Sequence, residues 1–179
     1  MTTATTTPKD FAVASTPAWR ILWLWVPMLG VIALVAGTNL AHPQRTAMDV
    51  GLTVPFLLLL CGVLTWAYRR RRLRLMDGQL EVVSTLYRKR VPVASMALER
   101  ARIVDLAEHT ELKPGLKING FGMPGFQSGH YRIGSRKAFC LVTDSSRVLH
   151  LPLRDGSALL ISPEQPRVLL ETLNAAAAR

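Results

Sequence analysis

The stretch GFGMPG, Gly120 to Gly125, has the G-x-G-x-x-G spacing of a turn that cradles a dinucleotide pyrophosphate. Asp144 follows about where such a turn places its ribose-binding carboxylate. That chemistry needs a strand before the glycines and a helix after them, because the pyrophosphate rests on the free N–H groups of the helix N-terminus. Here Pro124 stands where that helix would begin to run, and the following GFQSGHYRIG holds two further glycines and no helical apolar stripe. Upstream, Pro114 and Gly115 interrupt LKPGLKIN. About twelve residues then separate the motif from the next strand-like run, AFCLVT, too few for a crossover helix. No cofactor is expected. The segment Gly120 to Gly134 reads instead as an irregular loop leading into a strand, with Phe121, Met123 and Phe126 as apolar anchors.

Other residues with chemical potential fare similarly. Ser128, His130 and Asp144 form a catalytic triad on paper, but the sequence has no nucleophile elbow and nothing that draws the three together. His109 lies between Glu108 and Glu111 without a metal-ligand spacing, and His150 sits in a strand-like run. Neither Cys61 nor Cys140 has a ligand or disulfide pattern. There is no Walker loop, zinc set or pair of catalytic carboxylates, so no metal and no enzyme activity are expected. The alternative is a small membrane-surface enzyme that uses the Gly120–Gly134 loop.

The elements that would position these residues begin with two apolar runs. The chain of 179 residues carries a net charge of +10, yet its mean hydropathy is positive, +0.22. Ile21 to Thr38 and Val50 to Tyr68 contain no charged residue except that the link between them ends in Asp49. At about 1.5 Å per residue each approaches the roughly 30 Å of a bilayer core. Pro27 and Pro55 lie near the starts of their runs, where membrane helices tolerate them. Trp19, Trp23 and Trp25 gather at one end of the first run, and Trp66 and Tyr68 close the second, as interfacial aromatics do. A cleaved signal peptide fits less well: the run is long, the preceding Thr-rich residues carry few charges, and a second run follows. Residues 20–68 are therefore expected to form a transmembrane hairpin.

Arg69, Arg70, Arg71, Arg72 and Arg74 follow the second run, whereas the link Asn39–Asp49 carries only Arg45 among Lys and Arg. The positive-inside rule then places both termini in the cytoplasm, as for a multi-pass membrane protein. Residues 1–19 read as a disordered cytoplasmic tail. Beyond the five arginines, the region 69–179 is only mildly basic, and no basic–aromatic interleaving suggests nucleic acid. The arginine block is suited to anionic lipid headgroups, worth about 1 kcal/mol per residue near such a surface.

Within 69–179 the period is that of strands. Asp77-Gly78 is a hairpin turn between LRLM and LEVV. YRKRVPV, ARIVDL, FQSGHYRI, AFCLVT, RVLHLPL and a short run at Ala158–Ile161 follow. Ser162-Pro163 suits a helix start, and Pro166 serves equally well; Leu169, Leu173 and Ala176 then recur at helical spacing. About seven short antiparallel strands capped by one C-terminal helix are expected.

The segments LRLMDGQLEV, YRKRVPVASM, GFGMPGFQSGHYRIG and AFCLVTDSSRVLHLPLRDGSALLISPEQPRVLLETL together resemble the membrane-anchored bacterial PH-like domain proteins, from about Leu73 to Leu173. That resemblance implies two near-orthogonal antiparallel sheets with the helix plugging one end. It implies no activity. Eukaryotic PH domains bind phosphoinositides through basic residues on their first strands, a region where this chain has Arg88, Lys89 and Arg90. Strand residues alternate faces, so at most two of the three converge, and the ligand is not carried over. The expectation is a binding or assembly module for protein or lipid headgroups, through the arginine block or a partner-binding loop of Phe121, Met123, Phe126, His130 and Tyr131. Its partner is an unidentified protein or a second copy.

Overall fold

The computed structural model describes residues 8–41 and 47–178. Arg45 and the middle of the link expected to face outward, residues 42–46, lie outside the described residues. Two compact units emerge. One is Pro17–Arg69; the other joins the segment ending at Thr16 to everything from Arg70 onward.

The first strand, β1 (Lys9–Phe11), precedes two long helices, α1 (Leu22–Ala41) and α2 (Ala47–Arg69). Each has its proline inside, Pro27 and Pro55. None of the first candidate span is buried and only 17% of the second, unlike the core helix of a soluble protein. Large apolar side chains such as Leu34, Leu52 and Leu59 are exposed. Such surface is compatible with membrane association. Between the helices the indole of Trp25 donates to Thr65 Oγ1 at 3.2 Å.

The second unit is built on two sheets. β2 (Arg71–Met76), β3 (Gln79–Ser84) and β4 (Tyr87–Pro92) form an antiparallel meander, and β1 pairs with β2 to complete a four-stranded sheet. Asp77 and Gly78 take the positive φ values, 50° and 67°, that a tight hairpin of the observed hand requires. The second sheet contains β5 (Arg102–Val104), β6 (Lys117–Met123), β7 (Phe126–Ile133), β8 (Arg136–Val142), β9 (Val148–Pro152) and β10 (Ala158–Ile161), in the order β5-β9-β10-β8-β7-β6. The C-terminal helix α3 (Pro166–Ala177) buries Pro166, Leu169 and Leu173.

Three expectations change. Residues 1–19 are not a structureless tail throughout: Lys9–Phe11 is a strand, and Ala12 to Ala14 continue beside the β10–α3 connection through the Ala14 N–H to the Ser162 carbonyl and the Glu164 N–H to the Ala12 carbonyl, each 2.9 Å. Among the described residues ten strands replace about seven, with β1 ahead of the helices and β6 across the glycines where a loop was expected. One pair is parallel: β10 inserts between β9 and β8 and runs with β8. All four of its residues are buried, as suits a central strand apolar on both faces. Of the two helix starts the sequence offers, α3 takes Pro166. Ser162 is spent elsewhere, its hydroxyl donating to the Asp144 carbonyl at 2.8 Å and so tying the β8–β9 connection to β10.

Candidate binding surfaces

Alternation along β2 divides the arginine block. Arg69 ends α2, while Arg71 and Arg72 begin β2 on opposite faces. Arg71 is half-buried: its guanidinium lies 5.1 Å from the Phe126 ring centroid and donates to Thr16 Oγ1 at 3.0 Å. Arg72 is exposed. Arg74 is held by Asp10, through Nε to Oδ1 at 2.6 Å and Nη2 to Oδ2 at 3.1 Å. The five arginines therefore do not act as one belt.

Across the sheet, the register sets Asp10, Arg74, Glu81 and Arg90 in one row of alternating charge, and Arg72, Val83 and Arg88 in the next. Arg88 and Arg90 both donate to Glu81 Oε1, the latter at 2.8 Å. Lys89 points to the other face, so two of the three basic residues of β4 converge, and they converge on a carboxylate. The hydrogen bond from Arg90 is the largest cause holding the Glu81 carboxyl below its ordinary value, and the Arg74 hydrogen bond does the same for Asp10. A shallow depression of about 180 Å³ on this side is lined by Arg74 and Arg90 against Asp77 and Glu81. Its charges balance, which makes it a poor anion site.

The glycine motif is a hairpin. β6 and β7 pair from Lys117↔Tyr131 to Met123↔Phe126, with Pro124-Gly125 as the turn and Gly125 at φ 72°. The glycines make room for one ring. A Cβ on Gly120 would lie 3.0 Å from Tyr131 Cε2 and 2.6 Å from the Ser128 carbonyl oxygen; one on Gly122 would lie 2.8 Å from the Tyr131 hydroxyl. Tyr131 thus lies across β6 and donates to the Phe121 carbonyl at 3.1 Å. Burial pushes its phenol up to about 12.

Of the expected partner-binding residues, Phe126 and Tyr131 are buried and offer no contact surface. Phe121, Met123 and His130 are half-buried. His130 packs edge-on to Phe139 and Tyr87, at centroid distances of 5.1 and 6.2 Å. Burial, and secondarily Lys89, pushes its imidazole pKa down.

The paper triad does not assemble. Ser128 Oγ is engaged with Ser84 Oγ at 2.7 Å and Thr85 Oγ1 at 2.6 Å, a buried hydroxyl cluster joining the end of β3 to β7. Asp144 Oδ1 accepts from the backbone and hydroxyl of Ser146, closing a turn. His109 pairs with Glu111 at 3.3 Å on the surface. No group of three His, Cys, Asp or Glu among the described residues is placed to hold a metal ion.

A three-strand meander, a second sheet and a C-terminal helix define a PH-like fold. Residues 71–177, more than half of the chain, match the family model described as Bacterial PH domain. The chain belongs to that family, which makes it a binding or assembly module in its broad class. No curated protein and no solved structure matches the chain. The matched region begins at Arg71, so β1 with Asp10 lies outside it while its partner Arg74 lies inside. Sequence reasoning missed β1; the only available signal was three residues, KDF, too short for a period.

Proposed function

We propose that the chain is a bacterial inner-membrane protein, anchored by α1 and α2 with both termini cytoplasmic, whose PH domain binds a protein partner, a second copy or lipid headgroups and performs no chemistry of its own. The observation that carries this reading is the pairing of β1 with β2. Residues before α1 and residues after α2 share one sheet, so both must occupy the same side of any bilayer the helices cross. Two crossings satisfy that condition and one does not. The arginine block then favours the cytoplasmic side. Arg69 and Arg72, both exposed, are its best placed members for headgroups. The structural engagement of Ser128 and Asp144 supports a module without catalysis.

The topology is tested in intact cells with a membrane-impermeant maleimide, in a background of Cys61→Ala and Cys140→Ala. Thr46→Cys, in the link, is expected to label from outside. Thr5→Cys and Ala178→Cys are expected to label only after permeabilisation. Labelling of either terminus in intact cells refutes the arrangement. Affinity purification from native membrane tests the binding role, and recovery of neither a partner nor enriched lipid counts against it.

A further inference from the structure

The faces of the second sheet are unequal. Phe126, Ser128 and His130 on β7 look toward the first sheet, as the Ser128–Ser84 and Phe126–Arg71 contacts show. The opposite face carries an apolar cluster that includes Tyr131, Ile133, Ala138, Cys140, Val148, Ala158 and Leu160 but no residue of β1 to β4. The chain between β5 and β6 covers part of it through Leu106 and Leu112. The remainder is open, as a groove of about 570 Å³ flanked by the β7–β8 and β9–β10 turns. That is within the range of small-ligand sites, roughly 300 to 1,000 Å³.

The groove has an apolar floor and a cationic rim. Leu112, Ile133, Ala138, Pro152 and Ala158 line the floor. Arg100, Arg102, Arg136, Lys137 and Arg154 line the rim, against one acid, Glu111. Glu111 reaches Arg102 only at 3.9 Å, and among the described residues Arg100 pairs with the exposed Glu99 at 3.7 Å. No carboxylate of the described residues lies within 4 Å of Arg136, Lys137 or Arg154. Five cations facing one weakly held acid contrast with the balanced rows on the first sheet.

His150 sits among them, directly opposite Arg102 in the β5–β9 register. Its Nδ1 is buried and has no hydrogen-bond partner. An unpartnered buried ring nitrogen is costly, and such atoms call for an explanation.

We propose that this groove is a binding site for a phosphate-bearing ligand, with the phosphate held by Arg102, Arg136 and their neighbours beside His150 and an apolar portion of the ligand lying on the Ile133–Ala138–Ala158 floor. A phosphate suits the rim better than a carboxylate. It carries up to two charges and accepts from several guanidinium forks at once. Burial, then Arg102 and Arg136, keep the His150 imidazole pKa below its ordinary value. A bound anion offsets those two cations and stabilises the imidazolium, so ligand binding takes up a proton at His150 below about pH 6.5. The charged groups acting on that ring are Arg102 on β5 and Arg136 at the start of β8, and Glu111 of the β5–β6 connection lines the same groove.

The site is independent of membrane topology, so the labelling experiment and this one fail separately. The full chain in uncharged maltoside micelles is titrated with inorganic phosphate, glycerol 3-phosphate and dihexanoyl phosphatidic acid, with the His150 ring followed by NMR. Saturable binding with a rise in the His150 pKa is expected. Binding of glycerol 3-phosphate as tight as that of the lipid identifies a soluble phosphate ester as the source; a clear preference for the lipid identifies a headgroup. Arg102→Gln and Arg136→Gln should each weaken binding about tenfold or more, whereas the exposed Arg167→Gln on α3 should bind as the parent does. No saturation by on the order of 10 mM of any probe, or equal affinity in the Arg102 and Arg136 variants, overturns the proposal. So does preferential binding of a hexaglutamate peptide, which would make the groove a peptide site.

Discussion

Arg74 and Asp10 are joined by two hydrogen bonds although 64 positions, including both long helices, separate them in the chain. The pair fixes β1 on the edge of β2, where an unpaired strand would otherwise present its backbone groups. Beyond it, the Val13↔Pro163 bridge and the Lys9 Nζ–Thr172 Oγ1 hydrogen bond, 3.2 Å, tie the same segment to the end of the second sheet and to α3. The residues before α1 therefore clasp the PH domain.

Asp10→Lys tests the clasp. A cation opposite Arg74 replaces attraction with repulsion, while the rest of the domain keeps its core. Backbone amides of residues 9 to 14 are expected to exchange about two- to fivefold faster, in keeping with the modest strength of exposed pairs. Hydrogen exchange read by mass spectrometry checks this. Unchanged protection of that segment would show that Asp10 contributes nothing to holding it.

Tyr131 and the glycines opposite it give a sharper test. Gly120→Ala places a methyl group 2.6 Å from a backbone oxygen, which has nowhere to move. The expected loss is about 1–3 kcal/mol. Gly122→Ala meets mainly the Tyr131 hydroxyl. Tyr131→Phe removes that atom, at about 0.5–1.5 kcal/mol for the lost hydrogen bond. Gly122→Ala should therefore cost less in the Tyr131→Phe background, and Gly120→Ala should not be rescued. Denaturant unfolding of the four combinations measures both couplings, and equal costs in both backgrounds would contradict this packing.

Ser128 links the sheets. Ser128→Ala leaves the buried Ser84 hydroxyl without its acceptor, a loss of about 1–3 kcal/mol. Removing both hydroxyls together should cost less than the two single changes summed, because each single variant strands the other group. Strict additivity in thermal unfolding would mean that the two hydroxyls do not share a bond.

Much of this fold was legible because local signals and tertiary placement agreed. Asp77-Gly78 announced its hairpin, and the short run ALLI at 158–161 announced a strand. β6 was hidden because Gly120 and Gly122 deplete it of strand formers. Their reason for being glycine, the Tyr131 ring, comes from the neighbouring strand. β1 was hidden because it is three residues long and its partner lies beyond α2. The arginine block was conspicuous in sequence, yet pleating sent Arg71 to Phe126 and Arg74 to Asp10. The basic groove was invisible for the opposite reason: Arg102, Arg136 and Arg154 stand on separate segments and meet only when β5, β8 and β9 share a sheet.

The two half-buried histidines make stability depend on mild acid. Burial is the leading cause that depresses the pKa of both His130 and His150, with Lys89 acting on the first and Arg102 and Arg136 on the second. The unfolded chain, with ordinary histidines near 6.5, therefore binds more protons than the folded chain between the depressed values and 6.5. Stability contributed by keeping these rings neutral is fully present above about pH 6.5 and falls as the pH drops through that value. It levels off below the folded-state pKa values, until the carboxylates Glu81 and Asp10, themselves depressed, begin to protonate. The melting temperature of the full chain in micelles should thus decline from pH 7.5 toward pH 5.5 (a span chosen to bracket the ordinary value), and the decline should be shallower in His150→Gln and shallower still with His130→Gln added. Phosphate probes should steepen none of this if they bind: by favouring the imidazolium of His150 they offset its share of the acid loss. A melting temperature that stays level across this range in the parent chain would show that neither ring is held neutral by its surroundings.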